Sequence, residues 1–494
     1  MKILLVQPYG SVTPPIGLCM LVAELKQGGY TDATIIDLLR TNIQSNVESP
    51  NRTKEYLVEK LKERPDAVLL TASSQTFAEA LEIARLARPY TKKIILGGNH
   101  ATIFEERILE KVPYLDLVVS GEADETICKI MEHMEEGMED FSDITGVCYR
   151  LKGKIHKSPS TPPIMDLDKL PFPDRGAVDL NSYLGALTIF TSRGCPFRCT
   201  FCSRPVSGRT FRGRSPKNVI DEIESIMVKY PYLVKKLEYN FTLSDDNAGV
   251  DKQRLIGICD EIINRKLNIT LSLTSGLHVS SADLYLFTKL KQAGCKALWF
   301  GVESGNDQIL RNIKKGATRD TVKKAVALAH EAGIESVSGH FIIGMEGETL
   351  QTARDTIAFV TEAGFDTVGF NHAAPTVGTP LWDWVLQHGK FLFTYEDIMD
   401  YSDFKHDHTE PQFETPEFTR EERIQAYKEA CVVMDSLSRK RLFAIKNILK
   451  FIACVRSPAD VVWAVRRTYG AFTKTDLRRI TFLKPSVRKR VKIQ

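Results

Sequence analysis

The sequence predicts an α/β protein in three parts. These are a doubly wound, flavodoxin- or Rossmann-like domain over residues 1–143, a partial (β/α)6 barrel over 188–390 reached through a connector at 144–187, and a mainly helical region over 391–494. Three observations carry this reading. Short runs of Val, Ile and Leu alternate with amphipathic stretches, once before residue 140 and again after 188, which is the pattern of parallel strands covered by helices. A proline-rich run at 158–174 forbids long helix or strand between the two series. After Lys390 the alternation stops. A chain of 494 residues, 43% hydrophobic and 26% charged, supplies two or three cores of ordinary composition.

In the first series, residues 2–6, 33–37, 67–71, 93–96 and 115–119 read as buried strands, and 16–27, 53–62, 77–88 and 102–111 as the helices between them. Ligands of such sheets sit beyond the carboxyl ends of the strands. The residues there are Thr13 and Pro14 after the first strand and Ser73-Ser74-Gln75 after the third. Gly97-Gly98-Asn99 follows the fourth and Gly121-Glu122 the fifth. Paired glycines let backbone approach a bulky ligand, and small hydroxyl residues bind phosphate or amide groups. Residues 144–149 and 154–157 flank Leu151-Lys152-Gly153 as a hairpin.

The second series has strands at 188–191, 237–243, 269–274, 297–302, 336–343 and 367–373, with an amphipathic helix at 216–229 after the first. Six strands, each followed by a helix, suit an open barrel whose active site lies at the carboxyl ends. Asp245 and Asp246 stand at the second end, Glu303 and Ser304 at the fourth, and Ile343-Gly344 at the fifth.

After the first of these strands comes Gly194-Cys195-Pro196-Phe197-Arg198-Cys199-Thr200-Phe201-Cys202. The thiolate is the metal-binding form of cysteine and favours zinc, copper(I) and iron–sulfur clusters. A structural zinc site is closed by four protein ligands. Here three cysteines are spaced C-x-x-x-C-x-x-C with no further Cys or His in the next fifty residues, so one coordination position stays open. The remaining cysteines, Cys19, Cys128, Cys148, Cys259, Cys295, Cys431 and Cys454, lie mostly in apolar surroundings and read as core thiols.

Cys195, Cys199 and Cys202, with Phe201 before the last, resemble the signature of the radical SAM enzymes. The resemblance implies that the three thiolates hold a 4Fe-4S cluster whose fourth iron is chelated by S-adenosyl-L-methionine. One electron from an external reductant, flavodoxin or ferredoxin, then cleaves the sulfonium to methionine and a 5′-deoxyadenosyl radical. It also implies S-adenosylmethionine contacts: Asp245 or Asp246 on the ammonium, Glu303 or Ser304 on the ribose or carboxylate, and Phe201 with Ile343-Gly344 along the adenine. Thr13-Pro14-Pro15-Ile16-Gly17-Leu18, Gly97-Gly98-Asn99-His100-Ala101-Thr102 and Val119-Ser120-Gly121-Glu122 are similar to the cobalamin-binding domain of one large branch of that family. So are Gly301-Val302-Glu303-Ser304-Gly305-Asn306, with Lys314-Lys315-Gly316, and Pro375-Thr376-Val377-Gly378-Thr379-Pro380-Leu381. This likeness implies cobalamin against Thr13, Pro14, Ser73, Ser74, Gln75, Gly97, Gly98, Asn99, Gly121 and Glu122. The D-x-H-x-x-G motif is absent, so base-off cobalamin without a protein His ligand is implied, and His100 reads as a loop residue. Glu346 stands where the family usually has proline.

The activity implied is a cobalamin-dependent methyl transfer to an unactivated carbon of a small molecule or lipid. The alternative on the same scaffold is cyclisation, oxidation or carbon–carbon coupling of a lipid or tetrapyrrole, with or without cobalamin. A tRNA methylthiotransferase would carry a second three-cysteine set in the N-terminal domain, where only Cys19 precedes Cys128. Residues 439–494 hold sixteen Lys and Arg against Asp460 and Asp476. With Phe451, Trp463, Tyr469, Phe472 and Phe482 interleaved, this tail suits either a solvated helix face or peripheral contact with an anionic membrane surface; no specific nucleic-acid partner is expected. No signal peptide and no spanning apolar run is legible, so a cytoplasmic protein, membrane-associated at most through that tail, is expected. His406 and His408 read as loop residues rather than a metal pair, and Thr419-Arg420-Glu421-Glu422 as a capping box opening a helix toward residue 449.

Overall fold

The computed structural model describes residues 1–8, 12–38, 50–393 and 409–442. They form two compact units. One holds Met1–Ser225, Pro375–Asp383 and the stretch from Phe391; the other holds Ile226–Ala374, Trp384–Lys390 and the stretch from Thr409.

The first unit is built on five parallel strands, β1 (Lys2–Gln7), β2 (Asp32–Asp37), β3 (Ala67–Thr71), β4 (Lys93–Gly97) and β5 (Leu117–Val119), in the order β2-β1-β3-β4-β5. Alternate residues of each strand feed two cores. Leu4, Val6, Val68 and Leu70 pack with α2 (Lys54–Lys62), α3 (Phe77–Ala87) and α4 (Asn99–Lys111), whereas Ile3, Leu5, Leu69 and Ile95 pack with α1 (Ile16–Gln27) and α5 (Asp124–Glu135). Burial on both faces is why the strand sequences are continuous apolar runs rather than alternating ones. The strand order reverses between β1 and β3, so the crevice for a ligand opens beyond their carboxyl ends.

Two findings revise the sequence reading of this unit. The hairpin, β6 (Val147–Leu151) and β7 (Lys154–Lys157), extends the sheet antiparallel to β5 and makes it seven-stranded. And α4 starts at Asn99, three residues earlier than its apolar periodicity suggests, so His100 belongs to a helix's first turn and not to a loop. The connector runs extended, broken by three single 3-10 turns whose N-caps are Asp166, Asp174 and Asp179, each accepting a backbone N–H. It leads to three two-residue strands, β8 (Thr188–Ile189), β9 (Ser192–Arg193) and β10 (Arg212–Gly213), and to α6 (Pro216–Lys229).

The second unit alternates strand and helix: α7 (Pro231–Lys236), β11 (Asn240–Leu243), α8 (Lys252–Asn264), β12 (Thr270–Leu277), α9 (Leu284–Gln292), β13 (Cys295–Glu303), α10 (Asp307–Asn312), α11 (Arg319–Glu331), β14 (Ser336–Ile343), α12 (Leu350–Ala363) and β15 (Thr367–His372). All neighbouring strands are parallel and follow chain order, and they do not close into a barrel. Asp251, Asp283, Asn306, Thr318 and Thr349 cap the helices that leave them. One face of the strands buries Leu298, Phe300, Val302, Phe341 and Ile343. The other carries polar and aromatic groups, including Trp299 stacked on His340 at 4.4 Å between ring centroids and a Ser338–Thr367 hydroxyl pair at 2.7 Å.

After α13 (Pro380–His388), the last described helix is α14 (Arg420–Leu442). It opens with the expected capping box: Thr419 N donates to Glu422 Oε2 at 2.9 Å and Glu422 N to Thr419 Oγ1 at 3.4 Å. His406, His408, Cys454 and the basic tail from residue 443 lie outside the described residues. Among those described, no helix is long and apolar enough to cross a membrane.

Candidate functional site

In the first unit the cysteine loop is a closed excursion between β9 and β10. These strands pair antiparallel, Arg193 opposite Arg212 and Ser192 opposite Gly213, and so pinch the loop at its base. Both arginines are anchored to the carboxyl end of β5. Arg212 Nη1 donates to Glu122 Oε2 at 2.7 Å, and Arg193 reaches Glu122 Oε1 at 3.2 Å and both oxygens of Asp124 at 2.8 and 2.9 Å. The Arg212 and Glu122 side chains are 1% and 3% exposed, so these charges are held in a dry setting where each depends on the other. Glu122, read from sequence as a cobalamin contact, is thus engaged with the base of the cysteine loop, and it also accepts from Ile164 N at 2.9 Å.

Within the loop Cys195 and Cys199 are buried and Cys202 is half-buried, and none of the three is in a disulfide. Cys202 N donates to Cys199 O at 3.2 Å, which makes the turn between the second and third cysteines. Thr200, between them, accepts from Leu381 N at 3.1 Å. The Pro375–Leu381 motif therefore belongs to this unit: Leu381 braces the cysteine loop, while Val377 and Trp382 pack on Phe104 of α4, Phe391 and Phe393. Arg204 Nη2 donates to Cys202 Sγ at 2.9 Å. Among the described residues no three Cys, His, Asp or Glu side chains converge as a finished metal site. The loop supplies a donor set and a frame: three unoxidised thiols within eight residues and a cation directed at one sulfur, chemistry that fits thiolate ligation of iron. By contrast Cys19, Cys148 and Cys295, buried in cores, have thiols pushed up to about 12 by burial, so they stay neutral as expected of core residues.

The other ligand-loop candidates of this unit cluster at the strand ends. Ser73 N donates to Thr76 Oγ1 at 3.0 Å, and Ser74 Oγ pairs with His100 Nδ1 at 3.0 Å. His100 is fully buried between Phe77 and Phe104, at 4.1 and 4.9 Å between ring centroids, and burial holds it down near 3, so it is neutral. Gly98 has φ +97°, and a Cβ there would lie 2.7 Å from the Ala72 carbonyl, so only glycine lets β4 turn into α4 against the end of β3. Gly121 N donates to Thr102 Oγ1 at 3.1 Å, Gln75 is half-buried, Asn99 exposed, Pro14 buried and Thr13 half-buried. Hydroxyl, amide and backbone groups at a switch point, beside the already paired Glu122, fit a large, polar-rimmed cofactor such as cobalamin.

In the second unit the strand-end carboxylates Asp245 and Glu303 have cationic partners. Asp245 is buried 3.8 Å from Arg254, whereas Asp246 is exposed. Glu303 meets Lys315 Nζ at 2.8 Å, and His278 Nε2 bonds the Lys315 carbonyl at 2.7 Å. Ser304 is buried with its hydroxyl 3.0 Å from Thr356 Oγ1 of α12 and accepts from Asn306 N at 3.1 Å. Ile343 is buried, and Phe201, of the first unit, is half-buried. Gly344 takes φ +98°, and a Cβ would strike Arg423 Nη1. Its N–H donates to Glu348 Oε2, and its carbonyl accepts from Arg423 Nη1 at 3.2 Å. Arg423 is sandwiched between Phe413 and Phe418, 4.2 and 4.8 Å from their centroids, and so ties α14 to the end of β14. Carboxylate oxygens, a serine hydroxyl and a glycine turn at the strand ends are of the chemistry that binds an ammonium, a ribose and an adenine.

The residues missed from sequence are the arginines; Lys315 stands in a motif of the sequence, but its pairing with Glu303 does not show there. A signal was present: residues 193–214 contain Arg193, Arg198, Arg204, Arg209, Arg212 and Arg214, a density that a solvated loop does not need.

Residues 189–360 match the model of the Radical SAM superfamily, and residues 2–131 that of the B12 binding domain. An uncharacterized methyltransferase of Pyrococcus horikoshii is 30% identical over 408 residues, covering 79% of this chain and 84% of the relative. The anaerobic magnesium-protoporphyrin IX monomethyl ester cyclase of Rubrivivax gelatinosus is 30% identical over 356 residues, 69% of this chain and 61% of the cyclase. Among solved structures, the radical S-adenosylmethionine methyltransferase TsrM from Kitasatospora setae has a TM-score of 0.66 at 19% identity, covering 88% of this chain and 89% of that one. The cobalamin-dependent S-adenosylmethionine radical enzyme OxsB has a TM-score of 0.68 at 18% identity, covering 96% and 71%. These two share the fold.

Proposed function

The chain belongs to the cobalamin-binding radical SAM family, and from that membership we propose that it is a cobalamin-dependent radical SAM methyltransferase acting on an unactivated carbon of a small molecule. The observation that carries the reading is the cysteine loop pinned by Arg193 and Arg212 to the end of β5, which puts the thiol set and the switch-point sheet in one unit. In this reading Cys195, Cys199 and Cys202 hold the cluster. Thr13, Pro14, Ser73, Ser74, Gln75, Gly97, Gly98, Asn99 and Gly121 border cobalamin, with Glu122 fixing the loop base. In the second unit Asp245, Asp246, Glu303, Ser304, Ile343 and Gly344 receive S-adenosylmethionine. When bound, these groups supply one-electron sulfonium cleavage and a transferable methyl group; the chain's own part is to hold, orient and keep dry. Lys315 orients Glu303, Arg423 and Glu348 fix the Gly344 turn, and the Glu122 network sets the loop's approach. An external one-electron donor of the flavodoxin or ferredoxin kind completes the system, and a thiolate-held cluster suits a reducing cytoplasm.

The test is anaerobic reconstitution with iron, sulfide and hydroxocobalamin, then dithionite and methyl-deuterated S-adenosylmethionine. Expected are 5′-deoxyadenosine, label on cobalamin, and at least a 100-fold loss of deoxyadenosine in Cys199→Ser. Zinc in place of iron, or undiminished deoxyadenosine from that variant, refutes the reading. The likeness to a cyclase favours the rival of ring closure or oxidation; a product that has lost hydrogen without gaining a methyl group would decide for it.

A further inference from the structure

Arg204 lies two residues beyond the third cysteine and turns back over the loop. Its Nη1 donates to the Cys195 carbonyl oxygen at 3.0 Å and its Nη2 to Cys202 Sγ at 2.9 Å, so one guanidinium spans the first and last cysteines. Backbone bonds hold it there: Gly208 N donates to the Arg204 carbonyl at 3.1 Å, and Cys195 N to the Gly208 carbonyl at 3.3 Å. Arg209 Nη1, on the Phe197 carbonyl at 2.6 Å, staples the opposite limb. A guanidinium is permanently charged and presents its N–H groups in a fixed fork, which lysine does not. Hydrogen bonds to sulfur and local charge are among the factors that set an iron–sulfur cluster's potential, because reduction adds a negative charge that a nearby cation stabilises.

We propose that Arg204 is a positioning residue that raises the midpoint potential of the cluster held by Cys195, Cys199 and Cys202, and keeps Cys202 turned toward Cys195. This rests on the cluster reading above. In the electron step the cluster gains one electron from the external one-electron donor, which is oxidised by one; no bond forms or breaks, and the guanidinium keeps its proton. Neighbouring arginines do other work, since Arg193 and Arg212 are spent on Glu122 and Asp124, and Arg214 Nη1 on Glu222 at 2.5 Å.

The experiment uses the full chain, loaded anaerobically with iron and sulfide, in a potentiometric titration with dithionite followed by electron paramagnetic resonance, without S-adenosylmethionine. Wild type, Arg204→Gln and Arg204→Lys are compared at equal iron content. At a fixed potential the reduced-to-oxidised ratio of Arg204→Gln is expected to fall about tenfold, a negative shift of about 59 mV for one electron. Arg204→Lys, a point charge without the fork, should shift in the same direction but less. An unshifted midpoint in fully loaded Arg204→Gln overturns the proposal. Should that variant lose iron, loaded Arg204→Lys decides: a midpoint equal to wild type overturns the proposal, and a negative shift supports it. A wild-type chain that takes zinc and no iron sinks the cluster reading itself, which is a separate failure.

Discussion

Glu303 sits at φ +72°, in the left-handed region that side chains with a Cβ seldom adopt, and such strain persists only where surroundings over-determine it. What determines it here is Lys315, 2.8 Å away, both side chains being at least nine-tenths buried. Lys315→Met should therefore leave a buried carboxylate without its cation and cost about 3–5 kcal/mol. Adding Glu303→Gln should restore part of that loss in urea denaturation, and a single-variant cost under about 1 kcal/mol would show the pair to be solvent-shared. Glu348 makes the opposite case. Burial pushes its carboxyl up to about 7 against the pull of the Gly344 N–H, Arg423 and the Met345 N–H. A raised folded-state pKa means that the folded chain binds more protons than the unfolded one between the ordinary glutamate range and about pH 7. Its stabilising contribution is full at acid pH and lost as pH rises through about 7. Glu348→Gln, which keeps an acceptor for the two N–H groups, should gain on wild type by about 1–3 kcal/mol between pH 5 and pH 8. Thermal melts across that range check it, and a constant gap would count against the shift.

At the level of elements, the cysteine loop depends less on its own residues than on the two-residue strands at its base. Arg212→Met would strand the 3%-exposed Glu122 without its closest cation, and should cost about 3–5 kcal/mol while lowering iron retained per chain. Unchanged stability with full iron content would show that the β9–β10 clamp is dispensable. Those short strands were invisible in the sequence, because two residues carry no periodicity and the bonds that fix them run from Arg212 to Glu122, ninety positions earlier. The longer strands were legible for the opposite reason: β1, β3 and β4 are buried on both faces and read as continuous apolar runs. Where the reading overran, local backbone won. Residues 237–239 look like the start of β11, yet Glu238 and Tyr239 take φ +55° and +57° and end α7 instead. The strand-end acids Asp245, Glu303 and Glu122 could be found by position alone, but their partners could not, since a cation's usefulness depends on where the fold returns it.

For the whole molecule, the division into units says which ligands should stabilise which residues together. The first unit contains both the switch-point crevice beyond β1 and β3 and the cysteine loop, joined through Glu122, Asp124, Arg193 and Arg212 in one ion-pair network. A ligand that binds only the folded form slows opening of everything that must open with it, by about 2.7 kcal/mol, or 100-fold in exchange rate, at 100 times its Kd. Hydroxocobalamin should therefore protect amides at the ends of β1, β3 and β4 and, through the network, those of β9 and β10, before any iron is supplied. Arg212→Met should keep the first effect and lose the second. His100→Phe should keep both, because a neutral imidazole buried between two phenyl rings and paired with Ser74 contributes packing and not a bond to cobalt. Hydrogen exchange read by mass spectrometry separates these cases. Protection absent from the ends of β1, β3 and β4 would mean that the crevice is not where the corrinoid binds, and protection lost in His100→Phe with the fold intact would return that residue to the list of ligands.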